Sequence, residues 1–217
     1  LLHLLIESWE ESFDLNRSAH GQACIDDGQN GQTEAVAIDA EAVLDFWFNK
    51  TRPSQWFSKD PEFDALVRER FQGLTHQAFA GELAPWSGTP QDGLALVLLL
   101  DQFPRQLWRE SAMAFAGDAP ALALSQKALD RGWVEAEPEQ PRRQFWLMPL
   151  MHSEELAVQE AALPLFKQFS DPRTADFARR HRDVIARFGR FPHRNAALGR
   201  VSSAEELAFL QTPGSGF

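Results

Sequence analysis

One cysteine, Cys24, is all that the chain carries in 217 residues. A disulfide within the chain is therefore excluded, and so is a cysteine-rich metal centre. Long apolar runs are scarce too. The longest, Leu94–Leu100, falls well short of the ~18–20 residues that a bilayer span needs, and has the length of a core helix. Nowhere do apolar and polar residues alternate between hairpin turns, which removes the main signature of a β-sheet. No histidines show the His-x-x-x-His spacing of a metal-binding helix, so no metal is expected, and no other cofactor is indicated. Leu1–Ile6 is apolar, but no basic residue precedes it and acids follow, so it does not read as a secretory signal. The leading leucine fits a fragment, a processed chain or a gene call lacking its start. The expected setting is reducing and cytoplasmic, with no membrane partner.

What is present suits one packed domain. Hydrophobic residues make up 44% and aromatic residues 11%, enough for a core and too much for general disorder. The formal net charge of −10 is unevenly spread. Residues 1–48 hold ten acids and one arginine, whereas residues 171–200 hold eight arginines against three aspartates. Overall acidity argues against a nucleic-acid partner, since backbone binding rests on positive charge. A local arginine cluster in an acidic protein is more informative, because guanidinium offers a planar fork to carboxylate or phosphate. These arginines either pair with the protein's own acids or meet an anionic ligand.

Leu2, Leu5, Ile6, Trp9 and Phe13 fall at helical spacing, so residues 1–13 read as a short amphipathic helix. A stretch rich in Gly, Asn, Gln and Asp follows without a period and reads as a mobile linker. Residues 1–37 are thus an N-terminal extension, and residues 38–217 a single all-helical domain. Asp39 is placed to cap a helix whose Val43, Leu44, Phe46, Trp47 and Phe48 leave almost no polar face. Asp60-Pro61 starts another, with Phe63, Leu66, Val67, Phe71, Leu74 and Ala78 as its apolar stripe. Thr89-Pro-Gln-Asp92 starts a third, apolar on every side. It is the expected central helix, at about 90–101, with Phe103-Pro104 breaking the backbone after it. Ser153 reads as the cap of a helix over 153–169, with Glu154 and Glu155 in its first turn. Further helices are expected at 118–131, 141–151, 172–188 and 203–211. The fold class is all-α, antiparallel helices joined by short turns around a buried central helix.

Chemistry-bearing residues collect at helix ends. Asp101 and Arg105, four apart, form a natural buried ion pair, and Asp101 could also aim Arg105 at a ligand. Phe-Pro recurs in Gln102-Phe-Pro-Arg105 and in Arg190-Phe-Pro-His-Arg194, each time with arginine beside an apolar turn. Convergence of the two turns would bring Arg105, Arg190 and Arg194 together as an anion site. His181 shares a stripe with Phe177, Val184 and Phe188 and so faces the core, where burial depresses an imidazole pKa. The cap reading of Ser153 leaves His152 unexplained beside Glu154. His193 and Asn195 complete the polar turn after Phe188.

Val43-Leu-Asp-Phe-Trp-Phe48, Gly81-Glu-Leu83, Leu98-Leu-Leu-Asp-Gln-Phe-Pro-Arg105, Pro149-Leu-Met-His-Ser-Glu154 and Phe188-Gly-Arg-Phe-Pro-His-Arg-Asn195 resemble the successive motifs of a bacterial family, domain of unknown function 924. Gly199-Arg200, Glu205-Glu206 and Phe209-Leu210 continue the likeness. It implies a compact, TPR-like helical fold and no established activity, so no catalytic role is carried over. Gln106 stands where the family usually has Asn, and residues 1–37 have no counterpart.

The residues themselves point to a polar site made by Asp101, Arg105, His152, Glu154, His181, Arg190, His193, Arg194 and Asn195. Binding of a small anionic molecule is the expected function. An enzyme using His152 or His193 as acid/base, and a scaffold for a protein segment, are the alternatives.

Overall fold

The computed structural model describes residues 39–216, and the calls on residues 1–37 lie outside them. A compact unit begins at Ala40. It is all-α, and among the described residues there is no strand. Helix α1 (Ala40–Leu44) runs on into a π-helical turn, Asp45–Lys50. Helix α2 (Pro61–Phe79) is capped by the Asp60 carboxylate, which accepts from the N–H groups of Glu62 and Phe63. Its buried stripe is Phe63, Val67, Phe71, Thr75 and Ala78. Leu66, expected in that stripe, stands 41% exposed, and Thr75 replaces Leu74 by donating its hydroxyl to the Phe71 carbonyl.

Helix α3 (Pro90–Val97), capped by Thr89, is the centre of the core, with Leu94 to Leu100 all buried. The expected break at Phe103-Pro104 does not occur. The helical path continues through a π-helical turn, Leu98–Gln102, in which the Phe103 N–H reaches the Leu98 carbonyl, into α4 (Phe103–Leu107). Proline passes here because it stands in the first turn of α4, where its missing N–H is no loss. Phe103 then packs between Trp47 and Phe71, ring centroids 5.3 and 4.9 Å away. Fully burying each such ring stabilises by roughly 1.5–3 kcal/mol.

Helices α5 (Asp118–Asp130), α6 (Trp133–Ala136), α7 (Gln140–His152), α8 (Leu156–Phe169) and α9 (Pro172–Phe188) follow, and each of α7, α8 and α9 packs on the one before it or on α5. The short α6 was not legible in the sequence. Gly189, in the left-handed region at φ 68°, ends α9. A 3₁₀ turn (Pro192–Arg194) and α10 (Ala204–Leu210), closed by a Ser203–Glu206 capping box, complete the described chain. Helix α8 starts at Leu156, later than expected. Ser153 does accept the Glu155 N–H, but Glu154 is drawn away from the helix start by Arg200 and the Phe191 N–H.

Candidate functional site

Three helix ends meet where the sequence places its charges. The π-helical turn carries Asp101 inward, with 0% of the residue exposed. A buried carboxylate must be paired, and this one is, by three side chains. Its Oδ1 accepts from His152 Nδ1 at 2.7 Å and lies 3.3 Å from Arg105 Nη1. Its Oδ2 accepts from Gln102 Nε2 at 2.5 Å, and Arg105 also donates to the Asp101 backbone carbonyl. Burial pushes the Asp101 carboxyl up. The His152 ring, the Arg105 guanidinium and the hydrogen bonds from His152 and Gln102 outweigh it and hold the group below the ordinary carboxylate range.

Arg105 turns its second nitrogen to Asp118, at the start of α5, with Nη2 to Oδ1 at 2.9 Å. Arg194, from the turn after α9, takes the other oxygen of the same carboxylate, Nη1 to Oδ2 at 2.9 Å. The two Phe-Pro turns therefore converge on Asp118, which nothing in the residue pattern distinguishes from any acid in a helix's first turn. The rings of Phe115 and Phe191 stack on the arginines: Arg194 lies 4.7 Å from Phe115 and 4.6 Å from Phe191, and Arg105 lies 5.7 Å from Phe115. Asp118 can reach both guanidiniums because Gly117 has no side chain. A Cβ there would stand 2.1 Å from the Leu100 carbonyl oxygen.

His152 ends α7. Its carbonyl accepts from Arg194 Nη2 at 3.0 Å, and Gln159 covers the neighbouring Met151 and Ser153 carbonyls. The helix's unpaired C-terminal oxygens thus recruit a cation, as its dipole favours. Burial and the Arg105 charge lower the His152 pKa more than Asp101 raises it, so the ring is neutral at pH 7. With Nδ1–H donated to Asp101, Nε2 carries the lone pair, and it has no hydrogen-bond partner among the described residues. His181 is buried beside it, ring centroids 6.4 Å apart, and donates Nδ1–H to the Phe177 carbonyl at 2.7 Å. Burial holds its pKa well below 6.5. The Phe191 ring lies 5.5 Å from both His181 and His193. Burial, with Arg194, Arg105 and His152 nearby, lowers His193 to about 3. Arg194 is pulled down by burial to about 10 and remains a cation. Its Nε–H is buried and makes no hydrogen bond among the described residues.

The remaining sequence candidates lie in a second network. Glu154 takes Arg200 in a fork, 2.7 and 3.0 Å, and the Phe191 N–H at 2.8 Å. Arg190 forks onto Glu206 at 2.7 and 2.8 Å and donates to the Val201 carbonyl. Asn195 donates to Ser202 Oγ at 3.0 Å. Asp101, Arg105, His152, His181, His193 and Arg194 are thus brought together, while Arg190, Asn195 and Glu154 are engaged with Glu206, Ser202 and Arg200. Gln102, Phe115, Gly117 and Asp118 join the first group without having been read from the sequence. Among the described residues no three His, Cys, Asp or Glu side chains converge as a metal ion requires, and no helix is long and apolar enough to cross a membrane.

The model of the family described as bacterial protein of unknown function (DUF924) matches residues 43–214. The chain belongs to that family. A solved structure from Agrobacterium tumefaciens, described as a protein of unknown function, is similar to it at 38% identity with a TM-score of 0.74, covering 79% of this chain and 96% of that one. Every motif of the first group, from Leu98 to Asn195, falls inside the family match. No curated protein matches the chain.

Proposed function

We propose that the domain binds a small anionic molecule, a carboxylate or phosphate, at the edge of the cluster formed by Arg105, Asp118, His152, His193 and Arg194. One observation carries this reading: Arg105 and Arg194 come from separate turns onto a single carboxylate, Asp118, and the buried Arg194 keeps an Nε–H with no acceptor among the described residues. A buried charged donor left unpaired costs about 1–3 kcal/mol or more, and a ligand oxygen would recover it. Three surroundings support the same reading. Arg105 keeps 20% of its side chain exposed, so the cluster can be reached from solvent. Among the described residues Arg194 has one carboxylate partner, Asp118, and shares it with Arg105, which also has Asp101. His152 beside them is neutral, and its Nε2 has no partner among the described residues, so it can meet a ligand's donor.

The test is thermal denaturation of the full chain with inorganic phosphate, sulfate and a panel of small carboxylates. A ligand that binds only the folded state raises Tm by mass action. A saturable rise is expected, lost in Arg194→Gln and weakened in Arg105→Gln, but kept in Arg190→Gln. A response lost equally in Arg190→Gln, or absent in the unsubstituted chain, overturns the reading.

A further inference from the structure

We infer that His152 is a general base, held by Asp101 as its positioning residue, that removes a proton from a small carbon acid whose anionic group sits on Arg105 and Arg194. The inference rests on the anion-binding reading and adds a reaction to it. Its ground is the orientation of the imidazole. Nδ1 is fixed 2.7 Å from a carboxylate oxygen that is itself fully buried, and that carboxylate is locked in turn by Gln102 and Arg105. A ring tethered at one nitrogen to a buried aspartate has one tautomer and one direction for the other nitrogen. Structural need alone does not call for this. A histidine that merely filled space would be satisfied as His181 is, by a backbone carbonyl of its own helix. The carboxylate also does what a base requires after the proton has moved, since it stabilises the imidazolium that forms.

The neighbouring groups narrow the chemistry. Nε2 takes a proton from carbon, and the electron pair of the broken C–H bond passes into the substrate's adjacent carbonyl, which becomes an enolate. The positive edge formed by Arg105 and Arg194 faces the negative charge so formed. Reprotonation of the enolate by the same imidazolium restores His152 and leaves every atom and electron accounted for, so neither an oxidant nor a nucleophile is needed. Ser153, the hydroxyl next in sequence, already accepts the Glu155 N–H in its turn. The substrate class is a 2-oxo acid or a phosphorylated ketone or aldehyde, with an acidic C–H beside a carbonyl and an anionic group within reach. A π-helical turn carrying Asp101 fits a functional position, since such turns gather at functional sites.

The experiment uses the full chain in D₂O with a panel of small 2-oxo acids and phosphorylated ketones, and follows loss of the C–H signal by proton NMR. Protein-dependent exchange is expected for at least one compound. It should fall about 10²–10⁴-fold in His152→Gln, the range typical of a lost general base. Asp101→Asn should shift His152 away from its single tautomer in nitrogen-15 spectra and lower the exchange in the folded variant, whereas a purely structural carboxylate would leave exchange by the folded variant unchanged. Should Asp101→Asn fail to fold, Gln102→Leu, which removes one of the carboxylate's anchors, serves in its place and should lower exchange less. Exchange that survives in His152→Gln overturns the inference. So does absence of exchange across the panel while phosphate still raises Tm, and that result leaves the binding reading intact. Loss of the phosphate response itself removes both.

Discussion

Arg190 and Arg194 leave the same turn four residues apart, and they end in opposite surroundings. Arg190 forks onto Glu206, whose carboxylate also accepts the Ser203 N–H, so that three groups at the start of α10 are tied at once. Arg190 and the Ser203 N–H hold Glu206 down at about 2. Glu154 and Arg200 work the same way around the Phe191 backbone. In this network the fork atoms point at protein and close a turn. Arg194 meets a carboxylate that it must share and stacks between two rings, and its buried Nε–H, like that of Arg200, has no acceptor among the described residues. Around it stand three histidines, all lowered by burial, and one of them is aimed by an aspartate. Both networks are built from arginine and carboxylate, so composition does not separate a fastener from a site. What separates them is how the carboxylate is used: Glu154 and Glu206 each take one arginine in a fork, whereas Asp118 is divided between two.

The largest effect is expected from breaking the site's buried anchor. Asp101→Ala removes a fully buried carboxylate and leaves Arg105 without one partner and His152 Nδ1 without its acceptor, which should cost about 3–5 kcal/mol. Chemical denaturation measures it, and an unchanged midpoint would mean that the pairing does not hold the fold. Next comes Gly117→Ala. The added methyl would meet the Leu100 backbone oxygen, which cannot rotate aside as a side chain could, so ~2–3 kcal/mol is expected from overpacking. Because the strain falls beside Asp118, the same variant should weaken the phosphate response. A variant as stable as the parent would show that the approach of the two backbones is looser than described.

Much of this architecture was legible in advance, and the failures have specific causes. Asp60-Pro61 and Thr89-Pro90 announced their helices because a cap and a proline act locally. Helix α9 was bounded by Asp171-Pro172 and Gly189 for the same reason. The continuation through Phe103-Pro104 was missed because the disfavour of helical geometry before proline is a tendency, and here a π-helical turn precedes it. Asp118 was missed since an acid at a helix start explains itself through the dipole, and nothing in the sequence shows that two arginines arrive from 13 and 76 residues away. Arg190 and Arg194 were read as one cluster because sequence spacing cannot say which partner each will meet.

Acid should separate the two networks by a different route. The folded-state pKa of His193 lies at about 3 and that of His181 well below 6.5. Between those values and the ordinary histidine pKa the unfolded chain binds protons that the native chain does not. Their contribution is therefore complete above about pH 6.5 and is lost as pH falls. Stability should decline by up to ~1.4 kcal/mol per pH unit through His193 as pH drops from 6 to 4, and His181 adds to the decline in the same direction. Over the same interval the depressed carboxylates, Asp101 and Glu206, are still ionised in the fold. Denaturant midpoints taken across this range should fall, and His193→Gln should flatten the slope. A slope unchanged by that substitution would place the titrating burden elsewhere.

The smallest effect is expected where the fastener is altered conservatively. Arg190→Lys keeps the charge against Glu206 but replaces a planar fork with a single ammonium, which cannot hold both carboxylate oxygens and the Val201 carbonyl together. Tm should fall by less than in Gly117→Ala, because Glu206 keeps the Ser203 N–H and the capping box of α10 survives. The response to phosphate should stay at the parent level, since neither Arg194 nor Asp118 touches Arg190 among the described residues. A small loss of stability with an intact anion response would mean that the two arginines of one turn serve separate ends. A loss of the anion response in this variant would mean that the fastener positions the site, and the contrast between the networks would then be one of degree.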